Sequence, residues 1–270
     1  MIYEKKDGVP RYECREYAPK TTKYCLLIPI INEGERIKHE LERALKAGVD
    51  KLCDIIICDG DSSDGSTDDE IMKKLGVNTL LVKKSEGKQG AQLRMGIDFA
   101  MNVRGYDGVV TIDGNDKDSI EDVYKFVEKL DEGYDLVQGS RFIKGGRAIN
   151  TPPVRYISVR LIHAPIISLT AGRHFTDTTN AYRCYSAKYL KHPQVQPLRE
   201  IFPGYELLAY LSVRATRLGL KACEVPVTRA YPKNGKTPTK ISAVKGNGGL
   251  LKILFVNLFG GYNPEQKNVK

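Results

Sequence analysis

A chain of 270 residues with 41% hydrophobic and 28% charged side chains has the make-up of one large soluble domain. Its formal net charge of +9 points to an anionic partner or to a solubilising surface excess. The six cysteines (Cys14, Cys25, Cys53, Cys58, Cys184, Cys223) form no Cys-x-x-Cys pair and the four histidines show no metal-type spacing. This argues against a zinc site or a disulfide frame, and for neutral thiols in a reducing compartment.

In chain order, residues 1–22 read as an irregular polar arm. The charged start carries no secretory signal. Residues 24–31 predict a strand ending at Pro29 and Asn32. Ile37, Leu41, Ala44 and Leu45 then recur at helical spacing behind first-turn acids. The next strand, 54–58, is an apolar run that stops in Asp59-Gly60-Asp61-Ser62-Ser63-Asp64-Gly65-Ser66. A buried strand thus runs into an acidic, Gly-bearing turn at its carboxyl end, the edge where open α/β sheets bind ligands. A helix around 68–75 and a strand at 79–83 follow. Gly87-Lys88-Gln89-Gly90 opens a helix carrying Leu93, Ile97 and Met101, and Gln92 and Arg94 are expected to face the same cleft as Lys88. Residues 108–112 form a strand that stops in Asp113-Gly114-Asn115-Asp116, before a helix marked by Val123, Phe126 and Leu130 and a strand at 136–138. This alternation predicts a mostly parallel, doubly wound sheet with helices on both faces.

The second half is less regular. Residues 145–150 read as a loop, 159–169 and 204–218 as helices, and 222–227 as a strand. No apolar run reaches the roughly 20 residues that span a bilayer. The nearest are 161–172 and 253–262, and the second, flanked by Lys245 and Lys252, suits a lipid interface, a core helix or a dimer contact.

The motifs taken in order resemble the family 2 glycosyltransferases of GT-A fold, closest to the dolichol- and polyprenyl-phosphate sugar synthases. Leu26-Leu27-Ile28-Pro29-Ile30-Ile31-Asn32-Glu33 resembles the family's opening strand, and residues 59–66 its Asp-Asp-x-Ser-x-Asp-Gly-Thr, with Gly60 for the second Asp. Gly87-Lys88-Gln89-Gly90-Ala91 resembles Gly-x-Gly-x-Ala, and Asp113-Gly114-Asn115 stands at Asp-x-Asp. Gly139-Ser140-Arg141-Phe142, residues 176–183 (Thr-Asp-Thr-Thr-Asn-Ala-Tyr-Arg), Glu224-Val225-Pro226-Val227 and the 235–240 loop complete the set. Each is weak alone; eight in order over residues 24–241 are specific for the family, less so for donor and acceptor.

The resemblance implies a GT-A domain over 23–241, preceded by the 1–22 arm and followed by a C-terminal apolar and basic segment, 242–270. It implies an inverting transferase of the hexosyltransferase class, taking a sugar from a nucleotide diphosphate donor to a polyprenyl phosphate or a membrane-linked glycan precursor. Its setting is cytoplasmic, at the inner membrane face, and no nucleic acid is expected. Pro29, Asn32, Glu33, Asp59 and Asp61 would serve the nucleoside, and Lys88, Asp113 and Lys240 the diphosphate. A helix N-cap with a first-turn acid is the structural alternative for Asn32 and Glu33. Asp113 and Asn115 would hold Mg2+ or Mn2+, and Arg141, Asp177, Thr179 and Arg183 the acceptor, with Arg141 and Arg183 gripping phosphate. Asn115 carries no charge, and Lys117 stands where the lipid-phosphate enzymes often have an oxygen ligand. The ion is then held more weakly, with Asp116 or Asp118 compensating, or Lys117 partly replaces it. The family's usual acceptor-side carboxylate falls at Tyr210, with Glu206 four residues earlier. A lipid phosphate is already ionised and needs no base, whereas a sugar hydroxyl would need Glu206. The rivals are a nucleotidyltransferase, which usually has a Gly-rich loop where this chain has Asn32-Glu33-Gly34-Glu35, and a basic nucleic-acid-binding protein, against which the acids at the strand ends argue.

Overall fold

The computed structural model describes residues 1–233 and 245–265. In chain order the elements are β1 (Ile2–Tyr3), β2 (Tyr12–Glu16), β3 (Tyr24–Ile30), α1 (Glu35–Lys46), β4 (Cys53–Asp59), α2 (Asp69–Lys74), β5 (Val77–Lys83), α3 (Gln89–Asp98), β6 (Gly108–Thr111), α4 (Val123–Asp131), β7 (Leu136–Ser140) and β8 (Arg147–Ile149). There follow α5 (Pro153–Ser158), α6 (Ala164–Ala171), β9 (Arg183–Ser186), α7 (Ala187–Leu190), α8 (Glu206–Arg217), β10 (Ala222–Pro226), β11 (Thr228–Ala230) and α9 (Lys245–Leu258). Among the described residues one sheet runs β1-β2-β5-β4-β3-β6-β9-β7-β10, and a ribbon pairs β11 with β8.

The centre of the sheet is parallel because β3, β4, β5 and β6 are joined by helical crossovers. These strands are buried on both faces, so they read as continuous apolar runs. β3 serves two cores in alternation. Cys25 and Leu27 pack with Leu93, Ile97 and Leu211 on one side. Leu26, Ile28 and Ile30 pack with Ile37, Leu41 and Phe126 on the other.

Three expectations need correction, and β9 is a strand not expected from the sequence. Residues 12–16 are not irregular: they pair antiparallel with β5, because Tyr12 and Cys14 alternate inward against outward Glu13 and Arg15. Residues 147–149 are not a loop but β8, which runs parallel to β11. The last Arg of the Thr-rich motif opens β9, which lies antiparallel between β6 and β7. The helix read at 159–169 is longer: α5 and α6 are joined through a π-helical segment, 159–163.

Candidate active site

The parallel register sets the site. Ile30 stands opposite Asp59, and Leu27 opposite Thr111, so the loops after β3, β4 and β6 leave the sheet side by side. On the first two loops, polar side chains lace the backbone. Ser63 N–H donates to Asn32 Oδ1 at 2.9 Å, and Asn32 N–H to Ser62 Oγ at 2.9 Å. Gly34 N–H donates to Asp64 Oδ2 at 2.9 Å. Asp59 is fully buried, and Ser62 donates to it through its N–H (3.0 Å) and its hydroxyl (2.6 Å). Burial pushes the Asp59 carboxyl up, with the Ser62 bonds opposing.

Asp59 therefore shapes the turn from beneath rather than lining the cleft, and Pro29, buried within β3, is likewise withdrawn. Asn32 and Asp61 stay at the surface. Asp61 pairs with Lys84 at 2.7 Å and Glu33 with Arg36 at 2.7 Å.

Lys88 is exposed at the start of α3, where the helix dipole favours phosphate. Beside it Gln89 Nε2 donates to Asp113 Oδ1 at 2.9 Å. Gln92 and Arg94 do not face the cleft. Gln92 donates to the carbonyls of Ile30 and Cys58, and Arg94 to those of Gly8 and Leu198.

Asp113 stands at the carboxyl end of β6 with its side chain 21% exposed. Gly114 lets this loop lie on β3, since a Cβ there would collide with the Ile30 side chain and meet that of Ile28 at 2.8 Å. Arg229, from β11, reaches Asp113 Oδ2 at 3.2 Å and also pairs with buried Asp118. Burial pushes Asp118 up to about 6, with Arg229 opposing. Asp116 turns away to His39 and Arg43 on α1. Neither Asp116 nor Asp118 can then compensate for Asn115 as a ligand. Lys117 is buried with its ammonium 5.6 Å from the centre of the Tyr231 ring, and burial lowers its pKa. The Asn115 Oδ1 atom is buried with no hydrogen-bond partner.

The acceptor residues divide. Arg141 is buried and grips Asp177 bidentately, Nε to Oδ2 at 2.6 Å and Nη2 to Oδ1 at 2.9 Å, with Nη2 also 3.1 Å from Thr179 Oγ1. Glu224 fixes this loop by accepting from the Thr176 and Asp177 N–H groups. Arg183 is not in the group. Its guanidinium donates to the carbonyls of Asn180, Leu208 and Thr178 and to Ser212 Oγ, inside the protein, so the expectation that it grips phosphate fails on burial. Glu206, the first residue of α8, accepts from Gly204 N–H at 2.6 Å, a bond that holds the segment leading into the helix. Lys240 lies outside the described residues.

Sequence reasoning missed Gln89, Arg155, Arg229 and Tyr231. Arg155 Nη1 donates to the Tyr231 hydroxyl at 2.9 Å, and Asn150 Nδ2 to the Tyr231 carbonyl at 3.0 Å. Arg229 follows the Glu-Val-Pro-Val motif by two residues and was findable there. Nothing local marks Arg155. Among the described residues no cluster of three or more His, Cys, Asp or Glu could hold a metal.

The family model for glycosyl transferase family 2 matches residues 25–192. The chain is 29% identical to the undecaprenyl-phosphate mannosyltransferase of Micrococcus luteus, over 86% of this chain and 90% of that one. It is 26% identical to the polyprenol monophosphomannose synthase of Mycolicibacterium smegmatis, over 77% of each. Among solved structures, glucosyl-3-phosphoglycerate synthase from Mycobacterium tuberculosis, in complex with Mn2+, uridine diphosphate and glucosyl-3-phosphoglycerate, superposes with a TM-score of 0.61. It shares 17% identity, over 88% of this chain and 78% of that one, a likeness of fold.

Proposed function

The chain belongs to glycosyl transferase family 2, and from that premise we propose that it moves a sugar from a nucleotide diphosphate donor to a polyprenyl phosphate, with inversion. The carrying observation is an imbalance at the end of β6. Arg229, Lys117 and Arg155 gather around Asp113 and Tyr231, whereas the Glu206 carboxylate is engaged by the Gly204 N–H. A site rich in cations and poor in a free base suits an acceptor that arrives ionised. An acceptor phosphate oxygen attacks the anomeric carbon. The bond from that carbon to the donor's diphosphate breaks, and the nucleoside diphosphate leaves with the electron pair.

In this reading Lys88 and the start of α3 receive the diphosphate, Gln89 orients Asp113, and Arg155 with Arg229 offsets phosphate charge. The Arg141–Asp177–Thr179 group supports the acceptor wall. A divalent ion fits the residues present. Asp113 offers a carboxylate and Asn115 a buried amide oxygen without a partner, and hard cations take oxygen ligands, completed by substrate phosphates. When bound, such an ion neutralises charge on the departing diphosphate. The activities of the relatives support the lipid phosphate, and the family match favours transfer over the nucleotidyltransferase and nucleic-acid readings. The free thiols, five of the six buried, suit the cytoplasmic face of the membrane.

The test is initial rates with a detergent-solubilised polyprenyl phosphate across a set of sugar nucleotides. Glu206→Gln stays within about tenfold of wild type, while Arg155→Ala costs roughly 2–4 kcal/mol of transition-state stabilisation. A Glu206→Gln collapse of roughly 10²–10⁴-fold beside an active Arg155→Ala would establish a hydroxyl acceptor instead.

A further inference from the structure

The helical rod formed by α5, the π segment and α6 carries an apolar face that is left exposed among the described residues. Val154, Ile157, Leu161 and Leu169 lie three, four and eight residues apart along it and are 75%, 54%, 71% and 69% exposed, where a packed amphipathic helix hides such a stripe. α9 packs against α6 and α8 and leaves its own stripe, Leu251, Phe255 and Phe259, at 37%, 49% and 83% exposure. Isolated apolar residues on a surface need no explanation, but two neighbouring stripes mark an interaction surface.

Charge identifies the occupant. No Asp or Glu occurs between Asp135 and Asp177, nor between Glu224 and Glu265, yet the chain holds 33 acids in all. Lys144, Arg147, Arg160, Arg173 and Lys252, all exposed, lie within these acid-free stretches of the chain. The rod also begins at the site, because Arg155, which bonds Tyr231 at 2.9 Å, lies between Val154 and Ile157. A ligand with its phosphate against Arg155 and its hydrocarbon along Val154 and Ile157 would already lie in a bilayer surface.

We propose that the exposed face of residues 154–169, flanked by the α9 stripe, seats this enzyme on an anionic lipid bilayer and presents the site to it. This rests on the lipid-phosphate acceptor proposed above. Apolar burial to the headgroup boundary and attraction to anionic lipid act together in such helices.

Flotation of the full chain with vesicles tests the proposal, using phosphatidylcholine with and without about one lipid in three as phosphatidylglycerol. Wild type floats with the anionic vesicles and about tenfold less with the neutral ones. The triple variant Ile157→Ser, Leu161→Ser, Leu169→Ser and the single variant Leu161→Asp lose about tenfold or more of this binding. The control Tyr124→Ser, at an exposed position on α4, keeps it. Circular dichroism and UDP or GDP binding establish that the variants are folded; the single variant decides if the triple one is not. The proposal is overturned if wild type does not float, if Leu161→Asp floats like wild type, or if sedimentation shows a dimer through this stripe without vesicle binding. Transfer to detergent-solubilised polyprenyl phosphate separates the two readings. Transfer without flotation removes the surface and leaves the reaction, and flotation without transfer does the reverse.

Discussion

Arg141 and Arg183 are both almost wholly buried, yet their partners differ in kind. Arg141 faces a carboxylate, and Arg183 faces three carbonyls and a hydroxyl. Asp177→Ala should strand a buried guanidinium and lower stability by roughly 3–5 kcal/mol, while Arg141→Met with Asp177→Leu recovers much of that, since replacing both charges removes the desolvation penalty. Urea denaturation of the two variants beside wild type decides; a double variant as unstable as the single one would refute the account. Arg183→Ala should lose roughly 3 kcal/mol or more through unsatisfied carbonyls, with KM for the acceptor unchanged in the folded fraction. A stable Arg183→Ala protein with a raised acceptor KM would return Arg183 to the site. Asp118 supplies a pH signature. Burial holds its carboxyl at about 6 against an ordinary 3.8, so between those values the folded chain keeps a proton that the unfolded chain has released. The sign follows: this group's contribution is fully present below about pH 4 and is lost as pH rises through about 6. Asp118→Asn should remove that slope from urea midpoints measured between pH 4 and 7, and identical slopes in the two proteins would count against it.

At the scale of elements, the start of α3 is a tight joint beside the site. A Cβ on Gly90 would collide with the Phe202 carbonyl and come within 2.6 Å of the Gly204 carbonyl. Both are backbone atoms of the segment that leads into α8. Gly90→Ala should therefore cost about 1–3 kcal/mol and raise KM for the donor, because Gln89 and the Glu206–Gly204 bond move with that segment. Unchanged melting and KM would show that residues 202–204 yield freely. The sequence made α1, α4 and the parallel core strands legible because their patterns are strong: a 3.6 period in α1 and α4, and continuous apolar runs in β3, β4 and β5. It hid β2 behind a polar composition, and it hid β8 and β11, which are three residues each and too short to show a period. The placement of Asp113 and Asn32 at the mouth of the sheet was legible because strand ends set it. The site was misread where only the fold decides which way a side chain points, as at Asp59, Gln92 and Arg183. The residues it missed, Arg229 and Tyr231, arrive on or just after β11.

Across the whole molecule, charge is unevenly spread. The formal excess of +9 coexists with a mouth whose acids carry their own cations: Asp61 with Lys84, and Asp113 with Arg229. Such a mouth is preset for a dianion that can exchange partners with these pairs, and the basic remainder of the surface draws that anion in. Nucleoside diphosphate should accordingly stabilise the whole fold, because it joins the loops after β3 and β6 to the start of α3. At a hundredfold excess over its dissociation constant the gain is about 2.7 kcal/mol, on the order of 5 °C in melting temperature for a chain of this size. UDP and GDP, each with Mg2+ and with a chelator, give the comparison in a thermal melt. Because Asn115 is neutral and Arg229 already sits on Asp113, part of the shift should survive chelation. Asn115→Asp should enlarge the part that does not, since a second carboxylate strengthens an oxygen site for a divalent ion. High salt should shrink both parts by screening. A shift that vanishes wholly with chelator would show that Arg229 and Lys117 do not share the diphosphate charge. No shift with either nucleotide would remove these two donors from the site.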